Sequence, residues 1–282
     1  MKALIVTADD FGHAPEVNQA VERAHKSGIL TAASLMVSGE AANDAVALAH
    51  RLPGLKVGLH LVLVDGKPTL PPERIPDLVD GGGRLRNDLI RMGIDAFLRP
   101  GVRAQLAAEI EAQFAAFGAT GLKLDHVNAH HHFHLHPAVC NEMLDVGRRY
   151  GMGAVRVPRE PSRVVGGDHS AGRPNRSELV MTPWVALLDK RCRRRGLTVA
   201  DQVFGLAWSG AMTEARVTHL LQDLPDGLTE IYCHPATSDV FFGAAAGYRY
   251  ADELAALTST AARRLASSSN IRAGGYADFD RR

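Results

Sequence analysis

Cysteine is scarce in this chain of 282 residues: Cys140, Cys192 and Cys233 are the only three, and no two stand in a Cys-x-x-Cys spacing. That excludes a disulfide framework and a cysteine-bound structural zinc, and it fits a reducing compartment. Charge of one sign is also lacking, since the formal net charge is +1, so there is no general reason to expect nucleic acid as a partner. No apolar run approaches the ~18 residues needed to span a bilayer. The first strand-like run reaches Asp9 and Asp10 too soon for a secretory signal. These absences predict a cytoplasmic protein whose membrane contact, if any, is peripheral at the inner face. One basic run, Lys190-Arg191-Cys192-Arg193-Arg194-Arg195, reads as a solvated helix face or as a patch for anionic headgroups. The oligomeric state is open, a homodimer included.

Hydrophobic residues make up 46% and charged residues 22%, the balance of a globular protein with a sizeable core. Short apolar runs alternate with helical stretches along the chain. Strands are expected over Ala3–Thr7, Leu30–Val37, Leu55–Leu63, Gly121–His130, Ala154–Val157, Val203–Trp208 and Leu228–Cys233. Helices are expected from Pro15 to Gly28, then over Glu40–Leu52, Val102–Phe117, Pro137–Tyr150, Thr182–Arg195, Thr213–Leu224 and Ala251–Leu265. Residues 65–100 and 158–180 are rich in Pro, Gly and Arg and read as two long loop excursions. The pattern predicts an α/β protein, a single-domain (β/α) barrel over residues 1–282, distorted or with fewer than eight strands. No internal repeat is visible, and residues 267–282 read as a loosely ordered polar tail.

The densest chemistry lies in Asp125-His126-Val127-Asn128-Ala129-His130-His131-His132-Phe133-His134-Leu135-His136-Pro137, which holds six of the 13 histidines. His130, His132, His134 and His136 alternate, and an extended strand would aim them at one face. Imidazole rows of this kind point to a divalent metal. An internal tract broken by Phe133 and Leu135 is not a purification tag. Not all of these side chains can be ligands, so several must face substrate or support the fold.

In parallel α/β folds, reactive residues gather at the carboxyl ends of strands. Asp9-Asp10, His60, the tract at His130 and His234 all fall at such ends. One aspartate of the Asp9-Asp10 pair suits a metal ligand and the other a general base, because neighbouring side chains turn different ways. A bland alternative is a solvated pair in which one aspartate caps a helix. His60, in Gly58-Leu59-His60-Leu61, would alone read as a core histidine, but beside Asp10 and the tract it reads as a ligand. His234, before Pro235, reads as a general acid. Together these parts describe metal-assisted hydrolysis of an amide, in which an aspartate takes the proton of water and a histidine protonates the departing amine. A two-metal phosphoesterase and a metal buffer using the tract alone are the competing readings.

Four motifs lie in order along the chain: Thr7-Ala8-Asp9-Asp10-Phe11-Gly12, Gly58-Leu59-His60-Leu61, the His-x-His-x-His tract and Cys233-His234-Pro235. Their combination resembles the YdjC-like carbohydrate deacetylases, which include chitooligosaccharide deacetylase. The resemblance implies a (β/α) barrel, one divalent metal ion and removal of an acetyl group from an N-acetylated amino sugar. Zinc suits two imidazoles and one carboxylate, with magnesium, manganese and cobalt as alternatives. By position, the resemblance makes Asp9 the base, Asp10, His60 and His130 the metal ligands, and His234 the acid. His132 or His134 are alternative ligands, because Asn128 stands where many members carry aspartate. His132, Arg156 and Arg159 are candidates for substrate contacts, the arginines alternatively serving as ion-pair partners. Val155-Arg156-Val157-Pro158-Arg159-Glu160-Pro161, Phe204-Gly205-Leu206-Ala207-Trp208-Ser209-Gly210 and Glu230-Ile231-Tyr232-Cys233-His234-Pro235 are similar to the branch associated with hopanoid biosynthesis. That likeness implies an N-acetylglucosaminyl hopanoid lipid as substrate. Phe241-Phe242 and the basic run would then meet a membrane surface.

Overall fold

Strands β1 (Lys2–Phe11), β2 (Ala32–Leu35), β3 (Lys56–Leu61), β4 (Leu124–Ala129), β5 (Gln202–Phe204), β6 (Gly227–Cys233) and β7 (Ile271–Ala273) form one sheet. The computed structural model describes residues 2–161, 164 and 176–279, so most of the second excursion lies outside the described residues. The sheet runs β4-β3-β2-β1-β6-β5, with β7 also on β1, and every pairing is parallel. The expected α/β fold is therefore present, as a half-barrel. Residues 154–157 do not form a full strand. They contribute single bridges, Val155 to Val127 and Ala154 to Thr198.

The sheet curls. β4 lies three places from β1, about 14 Å away in a flat sheet. Yet Asn128 Nδ2 on β4 donates to Asp9 Oδ1 on β1 at 3.1 Å. Strand alternation sorts the two faces. On β1, Leu4, Val6 and Ala8 join the main core, while Ile5 belongs to a second, smaller cluster with Tyr232 and Tyr276. Polar residues on the concave side, Thr7, Asp9, Ser34, His60, His126, Asn128 and Glu230, are all buried. Polar groups at this depth need partners, and they find them in one another.

Helices α1 (Pro15–Ser27), α2 (Ala42–Arg51), α3 (Leu89–Leu98), α4 (Pro100–Ala119), α5 (Pro137–Arg149), α6 (Arg176–Arg194), α7 (Glu214–Gln222), α8 (Tyr250–Thr258) and α9 (Thr260–Ala266) complete the order. The first excursion is not all loop, because α3 forms within it, capped by Asp88 accepting from Arg91 N at 2.9 Å. Buried Glu109 of α4 straps the preceding segment down by accepting from Thr69 N at 2.7 Å and Leu70 N at 2.9 Å. Two cations of the basic run at the end of α6 are paired: Arg193 with Asp189 and Asp201, and Arg195 with Asp145. Among the described residues, no helix is long and apolar enough to cross a membrane.

The segment expected to be a loose tail is built into the fold. β7 and β2 share one edge of β1, β7 taking Lys2–Leu4 and β2 taking Thr7–Phe11. Behind β7, Tyr276 is fully buried and its hydroxyl donates to Glu230 Oε2 at 2.5 Å. Only residues 280–282 of the expected tail lie outside the described residues. Tyr276→Ala is expected to destabilise the protein by about 3–5 kcal/mol, the usual range for truncating a buried aromatic. Denaturant unfolding checks this, and an unchanged midpoint would restore the loose tail.

Candidate metal and catalytic centre

Asp9 and Asp10 lie beyond the strand expected over Ala3–Thr7, but β1 runs through both to Phe11. The register with β2 slips between Ala8 and Phe11, and Asp10 takes a left-handed φ of 61°. This bulge separates the two carboxylates. Asp9 turns into the concave core, and Asp10 turns to the cleft above it. The histidine tract is not the extended row expected from its spacing. β4 ends at Ala129, and residues 130–135 form a tight turn with His131 at φ 53° and His132 at φ 51°. The imidazoles therefore fan out. His130 Nδ1 lies 3.3 Å from Asp10 Oδ1. His131 Nε2 lies 3.3 Å from Asp65 Oδ2, and His132 Nε2 lies 3.1 Å from the Tyr232 hydroxyl. His134 Nε2 donates to the Arg156 carbonyl at 2.8 Å, and burial pushes its pKa down to about 4. His136 precedes α5 and stacks on Phe133.

Asp10, His60 and His130 bring one ligand atom each to within 4.8 Å of one another. His60 Nε2 lies 3.2 Å from Asp10 Oδ1, yet both atoms are buried without a hydrogen-bond partner among the described residues. Converging, unsatisfied lone pairs are costly unless a cation sits among them. Two imidazoles and one carboxylate with room for further ligands suit a catalytic divalent ion. Asp65, His130 and His131 form a second triplet that shares His130, but Asp65 and His131 are exposed and paired with each other.

Asp9 is 2% exposed. Burial would raise its pKa, but the Arg156 guanidinium, with His60 and His234 nearby, outweighs this and holds it well below the usual carboxylate range. Arg156 grips Asp9 through Nη1 and Nη2, and Glu230 through Nε at 3.0 Å and Nη2 at 2.8 Å. It is 0% exposed and touches no solvent, so of the two roles expected for it, substrate contact or ion-pair partner, the buried pairing with Asp9 and Glu230 fits the second. Arg159 is exposed but is not among the residues lining the cleft.

His234 follows β6, on the other side of β1 from His60. Its backbone N–H donates to buried Glu253, and its ring stands between Tyr232 and Tyr248 at 5.7 and 5.3 Å. A cleft of about 650 Å³ joins these groups, lined by Asp9, Asp10, His60, His130, His132 and His234. All four non-glycine residues with positive φ among the described residues, Asp10, Asp65, His131 and His132, also line it. Such strain concentrates at functional sites. Sequence reasoning gave no role to Tyr232, Tyr248 and Ser209, which also line the cleft. Tyr248 bonds Ser209 at 3.0 Å, and Gly210, at φ 74°, leaves the space that the Tyr248 ring occupies. Tyr232 was legible in principle, standing two residues before His234 on the same strand.

The profile of the YdjC-like protein family matches residues 3–268. The chain belongs to the YdjC-like family. A carbohydrate deacetylase of Brevibacillus brevis is 32% identical over 259 residues, covering 91% of each chain. A chitooligosaccharide deacetylase of an Enterobacter species is 36% identical over 160 residues, 56% of this chain and 60% of the relative. The crystal structure of a proposed cellobiose-phosphate cleavage protein of Enterococcus faecalis superposes with a TM-score of 0.77 at 25% identity, covering 99% of both chains. This YdjC-like chain thus aligns over nearly its whole length with the Brevibacillus relative and shares its fold with the Enterococcus protein.

Arg156→Met leaves Asp9 and Glu230 buried without their counter-ion, and a loss of about 3–5 kcal/mol is expected. Because the folded pKa of Asp9 lies below its unfolded value of 3.8, its contribution is present above pH 3.8 and fades as pH falls through the folded value. Denaturant midpoints at pH 7 and pH 5 should therefore both drop in the variant. Equal midpoints for variant and wild type would refute the ion pair.

Proposed function

We propose that this protein is a divalent-metal-dependent carbohydrate N-deacetylase, hydrolysing the acetamido group of an N-acetylated amino sugar to acetate and a free amine. The observation that carries the reading is the ionised, non-ligating carboxylate of Asp9 beside the Asp10–His60–His130 triplet, with His234 across the same cleft. The names of the relatives support the substrate class. A cation held by Asp10, His60 and His130 supplies Lewis acidity toward the amide carbonyl and toward water.

Asp9 accepts the proton of the attacking water. Arg156 keeps the carboxylate charged and aimed. Water oxygen adds to the carbonyl carbon, and the C–N bond then breaks. His234 gives the proton that makes the nitrogen leave as an amine. His132 is held near-neutral by burial and by Arg156, so toward substrate it serves as a hydrogen-bond partner and not as a charge.

The acceptor bearing the sugar is read as a hopanoid lipid, so the substrate is an N-acetylglucosaminyl hopanoid handled at the inner face of the membrane. The hopanoid-branch motifs support this. Exposed apolar side chains add to it: Ile90, Ile94, Phe97 and Leu98 on α3 and Phe242 beside the cleft are 53–78% exposed. α3 borders His136, which puts its apolar face at the same end of the sheet as the centre.

Asp9→Asn is expected to lower turnover at least about 100-fold while leaving one metal per chain, the range for losing a general base. Asp10→Asn is expected to lose the metal. Acetate release and metal analysis check both, and near-normal turnover in Asp9→Asn removes the base assignment. Mass spectrometry after incubation with N-acetylglucosaminyl hopanoid and with chitooligosaccharides identifies the acceptor. Loss of one acetyl from the hopanoid alone supports the lipid, and deacetylation of the oligosaccharides alone refutes it.

A further inference from the structure

Asp125, His126, Ser34 and Asn128 form an unbroken row of hydrogen bonds through the concave core. Asp125 Oδ2 meets His126 Nδ1 at 2.9 Å, and His126 Nε2 meets Ser34 Oγ at 3.0 Å. Ser34 Oγ accepts from Asn128 Nδ2 at 2.9 Å, and Asn128 Oδ1 meets His60 Nδ1 at 2.8 Å. All four residues are at most 4% exposed, and none of them lines the cleft. A serine, histidine and aspartate in a row suggest a nucleophile, but substrate cannot reach Ser34. The row must act through its end.

The direction of every bond is fixed from both ends. Asp125 accepts from the backbone N–H groups of Tyr276 at 3.1 Å and Ala277 at 3.0 Å as well as from His126. His126 Nδ1 is therefore its donor, which leaves Nε2 to accept from the Ser34 hydroxyl. Ser34 Oγ then has its lone pairs for the Asn128 amide N–H. From the other end, Asp9 Oδ1 already accepts from Arg156 and lies 3.1 Å from Asn128 Nδ2, so only an N–H can face it. Both routes put the amide oxygen of Asn128 toward His60. His60 Nδ1 must then carry a proton, and Nε2 must present a lone pair toward Asp10 Oδ1. Gly58 makes this packing possible, since a Cβ there would lie 2.5 Å from the His126 ring.

We propose that Asn128 is a positioning residue that locks His60 in the Nδ1–H tautomer for metal ligation and ties that ligand to the Asp9 carboxylate through one amide. Asp9 on one side, and Ser34 backed by His126 and Asp125 on the other, each fix the amide's orientation. The proposal rests on His60 being a metal ligand, as read above, and assigns a role to buried polar residues that the reaction itself does not use. It couples ligand and base: a rotation of one amide would disturb both.

The direct test needs no variant. In metal-free wild-type protein labelled with ¹⁵N-histidine at pH 8, long-range ¹H–¹⁵N spectra should show His60 protonated on Nδ1. An Nε2–H signal for His60 overturns the proposal. Zinc affinity, read by competition with a chromophoric chelator, gives a second readout. Asn128→Leu keeps the heavy-atom branching but removes the acceptor, and affinity should fall about 10–100-fold, the usual cost of losing such an outer partner. Ser34→Ala leaves Asp9 to orient the amide, so it should retain the Nδ1–H signal and bind zinc within about threefold of wild type. Asn128→Leu binding zinc within twofold of wild type would also overturn the role. A wild type that binds zinc with this tautomer but deacetylates nothing would sink the proposed activity and leave this inference standing.

Discussion

Arg156 carries a positive charge at 0% exposure, wedged between Asp9 and Glu230 and packed 4.4 Å from the centre of the Tyr232 ring. Taking three charges out of water is costly, and replacement by apolar side chains would often be as stable. What the cluster secures is geometry. The planar guanidinium fixes both carboxylates by paired hydrogen bonds. The remaining acceptor capacity is filled from elsewhere in the chain: Thr7 and Tyr276 donate to Glu230, and Asn128 donates to Asp9. His134 in turn accepts the task of holding the Arg156 carbonyl. Much of the concave core can be understood as the shell this one cation requires.

The same cluster explains how two adjacent aspartates come to differ. Asp9 is gripped by both terminal nitrogens of Arg156. Asp10, turned out by the bulge, has His60 and His130 within 3.3 Å of its Oδ1 atom. A carboxylate held ionised beside an unsatisfied ligand set is the arrangement that hydrolysis of an amide needs, since base and Lewis acid must not neutralise each other. The left-handed backbone at Asp10 and at His131 and His132 holds the groups in place at a local cost.

Much of this was legible in the sequence, and the failures are informative. Strand ends bearing Asp9, Asp10, His60, His130 and His234 could be read from hydrophobic runs that stop at polar residues. The shape of the histidine tract could not, because alternation of side-chain type says nothing of a left-handed turn at His131. The role of Arg156 stayed open between substrate contact and ion pair because its partners, Asp9 and Glu230, lie 147 and 74 residues away. α3 was hidden by Gly and Arg residues around it, although Asp88 before Leu89 was a readable cap. The C-terminal segment looked loose because its polarity masks one deeply buried side chain, Tyr276, whose worth is set by Glu230. The Asn128 relay depends on contacts between strands and leaves no local signal at all.

The central claim is that the cation lies among Asp10, His60 and His130 while Asp9 stays outside its coordination shell. Anomalous diffraction from crystals of the zinc-loaded protein tests it most directly. The account predicts one peak about 2.0–2.2 Å from Asp10 Oδ1, His60 Nε2 and His130 Nδ1, with Asp9 still paired to Arg156. A peak at Asp65 and His131, or one with Asp9 as a ligand, would contradict it.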